Sequence, residues 1–205
     1  MRALALLATV AIAAAAAQVA RADGDPASDY LLGEKVFLPY DAKFPPKQAA
    51  ELSGLVAAAN RAGFKIRVAV IFSDYDMGSV TTLWRKPHTY AKFLGLELGF
   101  VYKQRLLVVM PNGLGFNWPR HPTQAEYALL GKIPTGPSPT QLLAAAATAV
   151  TRLAAAGGVQ VAAPAHVTTP GQRNAHDREI ILAVVLGVLA LAAGARYLIR
   201  RARRV

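Results

Sequence analysis

Apolar residues fall along this chain in three patterns: long unbroken runs near the two ends, helical spacings of three and four, and short β-branched blocks. Residues 46–62 set Leu52, Leu55, Val56 and Ala59 on one face, with Pro46 in a first helical turn and Gly63 just past the end, which predicts an amphipathic helix. Residues 66–72 are nearly all apolar and β-branched, the pattern of a strand covered on both faces, so helices are expected above and below it. A second helix is predicted over 87–98, where Tyr90, Phe93, Leu94 and Leu98 share a side, and a second strand over 105–110. Asn112-Gly113 predicts a two-residue hairpin with both positions at positive φ, leading into a strand over 114–118. Ser138-Pro139 opens an alanine-rich helix to residue 156, closed by Gly157-Gly158, and a short strand is placed near 35–38. The alternation of helix and strand predicts an α/β domain over residues 23–157, a small mostly parallel sheet flanked by helices and joined by right-handed crossovers.

The end runs set the expected topology. Residues 3–17 are apolar after Arg2 and lead to Ala20-Arg21-Ala22, a small-x-small cleavage pattern, so residues 1–22 read as a signal peptide, with an uncleaved anchor as the alternative. Residues 180–199 are long enough to cross a hydrocarbon core of about 30 Å as a single C-terminal transmembrane helix. Arg200, Arg201, Arg203 and Arg204 follow it, against the mixed charge of Asp177-Arg178-Glu179 before it. The positive-inside rule then puts the 200–205 tail in the cytoplasm and the domain outside the cytoplasmic membrane. The Pro-, Thr-, Ala- and Gly-rich stretch 158–179 reads as the linker between them.

Charge changes this picture less than its total suggests. The chain has 205 residues, 23 Lys and Arg against 12 Asp and Glu, and a formal charge of +11. Seven of the basic residues, Arg2, Arg21, Arg196, Arg200, Arg201, Arg203 and Arg204, lie in or beside the apolar ends, which leaves about +4 between 23 and 179. That balance gives no ground for a nucleic-acid partner. The absence of Cys excludes thiol catalysis, thiolate metal sites and a disulfide scaffold.

The order of elements, with Tyr40-Asp41 and Phe44 before the first helix, Phe64-Lys65-Ile66-Arg67-Val68-Ala69-Val70, Tyr90-Ala91-Lys92-Phe93-Leu94 and Arg105-Leu106-Leu107-Val108-Val109, resembles the TPM-domain family of exported, membrane-anchored bacterial and thylakoid-lumen proteins. The likeness covers roughly residues 35–157 and is one of element pattern plus a few residues. It implies an α/β sandwich, an extracytoplasmic role in assembly, turnover or envelope upkeep, and in some relatives a divalent cation or weak phosphatase activity. After Met110 the chain departs from the family, whose longer arginine-bearing hairpin is compressed here to Asn112-Gly113-Leu114-Gly115.

Candidate chemistry is sparse. Asp74 and Asp76 follow the strand at 66–72, at the end where open α/β sheets place ligands, and two carboxylates there suit a hard cation such as Ca²⁺ or Mg²⁺. The competing reading makes Asp76-Met77-Gly78-Ser79 a turn whose carboxylates bond local amides. Asp23, Asp25, Asp29 and Glu34 occupy four calcium-loop positions, but Ser28 stands where that loop needs Gly, so this stretch reads as a solvated mature N-terminus. Gly113-x-Gly115 is assigned to the hairpin rather than to a phosphate loop. His88, His121, His166 and His176 occur singly, and no Gly-x-Ser-x-Gly elbow exists. Trp84, Trp118, Tyr127 and Arg85-Lys86 are either an exposed contact patch or core and solvated charge. The expectation is a non-enzymatic, membrane-tethered interaction domain that meets a protein partner at the outer membrane face and serves assembly or upkeep of envelope or membrane protein complexes. The alternative is a weak divalent-metal-dependent phosphatase centred on Asp74 and Asp76.

Overall fold

The computed structural model describes residues 24–162. They form an α/β domain in which a four-stranded sheet runs in the order β1 (Val36–Phe37), β2 (Ile66–Val70), β3 (Arg105–Met110), β4 (Gly113–Asn117). The first three strands are parallel and β4 pairs antiparallel with β3. Alternate residues of β2 and β3 feed two separate cores. Val68, Val70, Leu107 and Val109 pack against helices α2 (Pro46–Arg61), α4 (Gln124–Leu130) and α5 (Pro139–Ala156). Ala69, Ile71, Leu106, Val108 and Met110 pack against α1 (Pro26–Gly33) and α3 (Pro87–Glu97). A strand apolar on both faces needs a helical layer on each, and the structure supplies both.

That demand also sets the crossovers. The chain steps from β1 to β2 to β3 in one direction, yet α2 covers one face and α3 the other, so the two crossovers have opposite hands. The expectation that both are right-handed fails because the covering face changes between the two connections while the strand order does not reverse.

Local chemistry fixes the joints. The Asn60 side chain closes α2 onto β2, donating to the carbonyls of Val56 and Ile66 at 2.8 Å each, while Gly63 turns the chain at φ 92°. Ser138 and Gln141 form a reciprocal cap at the start of α5. The hairpin forms with Pro111 and Asn112 in the loop, since Gly113 already pairs with Met110. Asn112 does not take positive φ; its amide instead donates to the carbonyl of Arg85 at 2.6 Å. Gly115 serves close packing rather than the turn: a Cβ there would strike the carbonyl of Pro87, so its absence lets α3 lie directly on β4.

Two stretches differ from the sequence expectation. The supposed solvated N-terminus is folded: Asp25 is 3% exposed, caps α1 through the amide of Ala27, and receives the Tyr90 hydroxyl on both carboxylate oxygens at 2.7 and 2.8 Å. Local polarity suggested solvent, but a buried tyrosine 65 residues away supplies the donor. At the other end Val159 and Val161 pack on the core, so the ordered domain reaches past residue 157 into the expected linker. Among the described residues no helix is long and apolar enough to cross a membrane. The expected signal peptide 1–22, the remainder of the linker, the span 180–199 and the tail 200–205 lie outside the described residues.

Candidate functional site

The carboxyl end of β2, where Asp74 and Asp76 were expected to meet a cation, leads into Asp74–Leu83, short 3₁₀ turns interrupted by non-helical backbone at Gly78 and Val80. Asp76 is buried and its Oδ2 accepts the amides of Phe72 at 2.8 Å and Ser73 at 2.7 Å, with Ser73 completing a reciprocal cap. Burial raises its pKa against the lowering effect of those bonds. Asp74 is exposed. The structure therefore does not bring the pair into one pocket: one carboxylate oxygen shapes the backbone and the other residue faces solvent. Among the described residues no three His, Asp or Glu side chains are grouped to hold a metal.

A large cleft lies at the opposite end of the sheet. It encloses about 520 Å³ between the second half of α3 and the stretch that follows β4. Gly95 and Gly99 form its helical wall, and Gly95 has no Cβ where the Asn117 side chain crosses, so helix and strand close together at the cleft floor. Lys92 and Lys103 stand on one side of it, Arg120 and His121 on the other, and no carboxylate lines it. From Lys92 to His121 the chain holds four Lys and Arg and a single acid, Glu97.

The far wall is a tight turn in which the amide of His121 donates to the carbonyl of Trp118 at 3.1 Å, with Pro119 and Arg120 between them. Arg120 takes φ 65°, the left-handed region in which glycine is favoured and any other side chain is strained by about 1–2 kcal/mol. A cation is thus held at a position the backbone would give to glycine. Behind the turn the aromatic rings and a guanidinium form a continuous stack. His121 stacks on Trp118 at 3.8 Å between ring centres, the Arg105 guanidinium lies over the Trp118 ring at 3.8 Å, and it lies over the Phe64 ring at 4.3 Å. Burial lowers the Arg105 pKa, with the charges of Tyr102 and Glu126 acting in the opposite sense. A smaller cavity of about 230 Å³ lies beyond Trp118, between α4 and the end of α5.

Sequence reasoning named Trp118 and His121 but not the cleft, and missed Lys92, Lys103 and Arg120. The readable signal was Trp118-Pro119-Arg120-His121 directly after a strand, a turn sequence whose third residue is a cation where Gly is usual. Trp84 is half-buried in the α1/α3 core, Arg85 and Lys86 are exposed, and His88 stacks on Tyr127 at 4.2 Å, so the other suspected patch is divided among separate contacts.

Fold and site together define an α/β domain with a cationic, aromatic-backed cleft at the amino end of its sheet. No protein-family model, no curated protein and no solved structure matches the chain.

Proposed function

We propose that this chain is a membrane-tethered extracytoplasmic interaction domain, akin to the TPM-domain proteins, that serves assembly or upkeep of envelope or membrane protein complexes by binding an anionic ligand in the cleft beside Trp118. In this reading residues 1–22 direct export and 180–199 hold the domain at the cytoplasmic membrane, with the arginine tail inside. The observation that carries it is the cleft lining: Lys92, Lys103, Arg120 and His121 converge on a concave surface backed by Trp118, and Arg120 is held there in a strained conformation. Convergent cations around an apolar floor recognise a negatively charged, partly apolar partner by complementarity.

The test is site-specific photocrosslinking of the full chain in its own membranes, with the crosslinker at His121 in the cleft or at Tyr75 at the opposite end. Adducts are expected from position 121, and Lys92→Glu with Arg120→Glu should remove them. Adducts from position 75 alone, or adducts from 121 that survive both reversals, would refute the cleft as the binding surface.

A further inference from the structure

The cleft does not stand alone at its end of the molecule. Leu96, which lines it, is 75% exposed; Phe100 is 96% and Val101 65% exposed in the turn that follows α3. Three large apolar side chains thus stand in water at the end of α3 and in the turn after it, and Leu96 shares the cleft lining with three exposed cations, Lys92, Lys103 and Arg120, which makes this end amphipathic.

The chain leaves the described domain at this same end. Gly157, at the end of α5, sits against the Phe64 ring, and Phe64 shares the Arg105 guanidinium with Trp118. From there 157–162 lead toward residues 163–179 and the apolar run 180–199. Only the 17 residues 163–179 separate the described domain from the apolar run, so this end stays near any surface in which 180–199 is embedded.

We infer that the Leu96–Phe100–Val101 ridge and the Lys92, Lys103 and Arg120 cations beside it dock on the anionic lipid surface of the membrane, the ridge entering the interface and the cations meeting phosphate headgroups. This rests on the cleft being the working surface and names its ligand as headgroup phosphate. Apolar burial supplies attraction without regard to lipid charge, and each cation near an anionic surface raises the docking equilibrium constant roughly fivefold, on the order of a hundredfold for three.

Because the chain has no Cys, a single introduced thiol takes a nitroxide at one place only. The full chain carrying Val101→Cys, or Tyr75→Cys as the opposite-end reference, is reconstituted into vesicles of phosphatidylcholine alone or with phosphatidylglycerol. Collision with oxygen and with a water-soluble nickel chelate reports depth. The Val101 label is expected to lose nickel access in the anionic vesicles while the Tyr75 label keeps it. Lys92→Gln, Lys103→Gln and Arg120→Gln together should return the Val101 label to water, as should Phe100→Ser, with circular dichroism unchanged. Equal nickel access at the two labels overturns the inference, and so does a Val101 label buried equally in both vesicle types. If inorganic phosphate quenches cleft crosslinking while lipid charge leaves the label in water, the ligand is a soluble phosphate and the inference falls. Cleft adducts at His121 with a protein, together with a Val101 label in water, leave the cleft reading standing and remove the lipid one.

Discussion

The two ends of the sheet use the same kinds of side chain in opposite ways. At the carboxyl end two acids are turned inward, Asp25 shared by Ala27 and Tyr90 and Asp76 by Phe72 and Ser73, while Asp74 faces solvent. At the amino end the cations are turned outward, with Lys92, Lys103 and Arg120 exposed around the cleft and no carboxylate among its lining residues. A polar group satisfied by its own fold contributes to stability, whereas one left open at a concave surface is available to a ligand. The carboxyl end is where an open α/β sheet usually offers a site, so position in the fold and the bonding of each charge point to different ends.

If that comparison holds, substitutions at the two ends should move different observables. The largest effect is expected at Asp25, whose carboxyl is pushed up to about 6 from 3.8 by burial, against the lowering effect of Tyr90. A raised carboxyl pKa means that the ionised form is disfavoured in the fold. Its contribution to stability is complete below about pH 4, falls as pH rises through about 6, and stays lost above that, on the order of 3 kcal/mol in all. Asp25→Asn should flatten that slope, and Tyr90→Phe should cost about 2 kcal/mol at neutral pH, both read by urea unfolding. Identical pH slopes for the wild-type chain and Asp25→Asn would contradict the buried pair.

Asp76→Ala is expected to cost about 1–2 kcal/mol by leaving the amides of Phe72 and Ser73 without their acceptor. Millimolar Ca²⁺ or Mg²⁺ should shift the melting temperature of neither form. A cation-dependent rise that Asp74→Asn abolishes would move the working site to this end.

Arg120→Gly separates the two ends most cleanly. It relieves the left-handed backbone at position 120 and should stabilise the fold by about 1 kcal/mol while weakening ligand capture in the cleft. Loss of both stability and binding would show that Arg120 is a structural residue. The smallest effect is expected from Lys92→Glu, an exposed change that should alter stability by no more than about 0.5 kcal/mol. A drop well beyond that would mean that Lys92 holds the fold together.

The sequence carried the sheet and its main helices because periodicity records burial directly. Residues 46–62 and 87–98 appear as Pro46–Arg61 and Pro87–Glu97, and the strand at 105–110 appears without change. What it did not carry depends on partners distant along the chain. Asp25 looked solvated because Tyr90 is not a neighbour in sequence, and Gly115 looked like a turn residue because the carbonyl of Pro87 comes from another element. The cleft was invisible for the same reason: Lys92, Lys103 and Arg120 meet only after α3 has been laid across β4. The handedness of the crossovers is a global choice that no single segment encodes.

Tyr127 closes one further account. From α4 its hydroxyl receives the amide of Phe116 at 2.9 Å and donates to the carbonyl of the same residue at 2.7 Å, occupying that residue's backbone groups on the edge strand β4. At the opposite edge β1 is only two residues long. With one residue of β4 occupied by a side chain and β1 only two residues long, each edge presents a shortened run of backbone for a passing chain to copy, which disfavours strand-by-strand polymerisation.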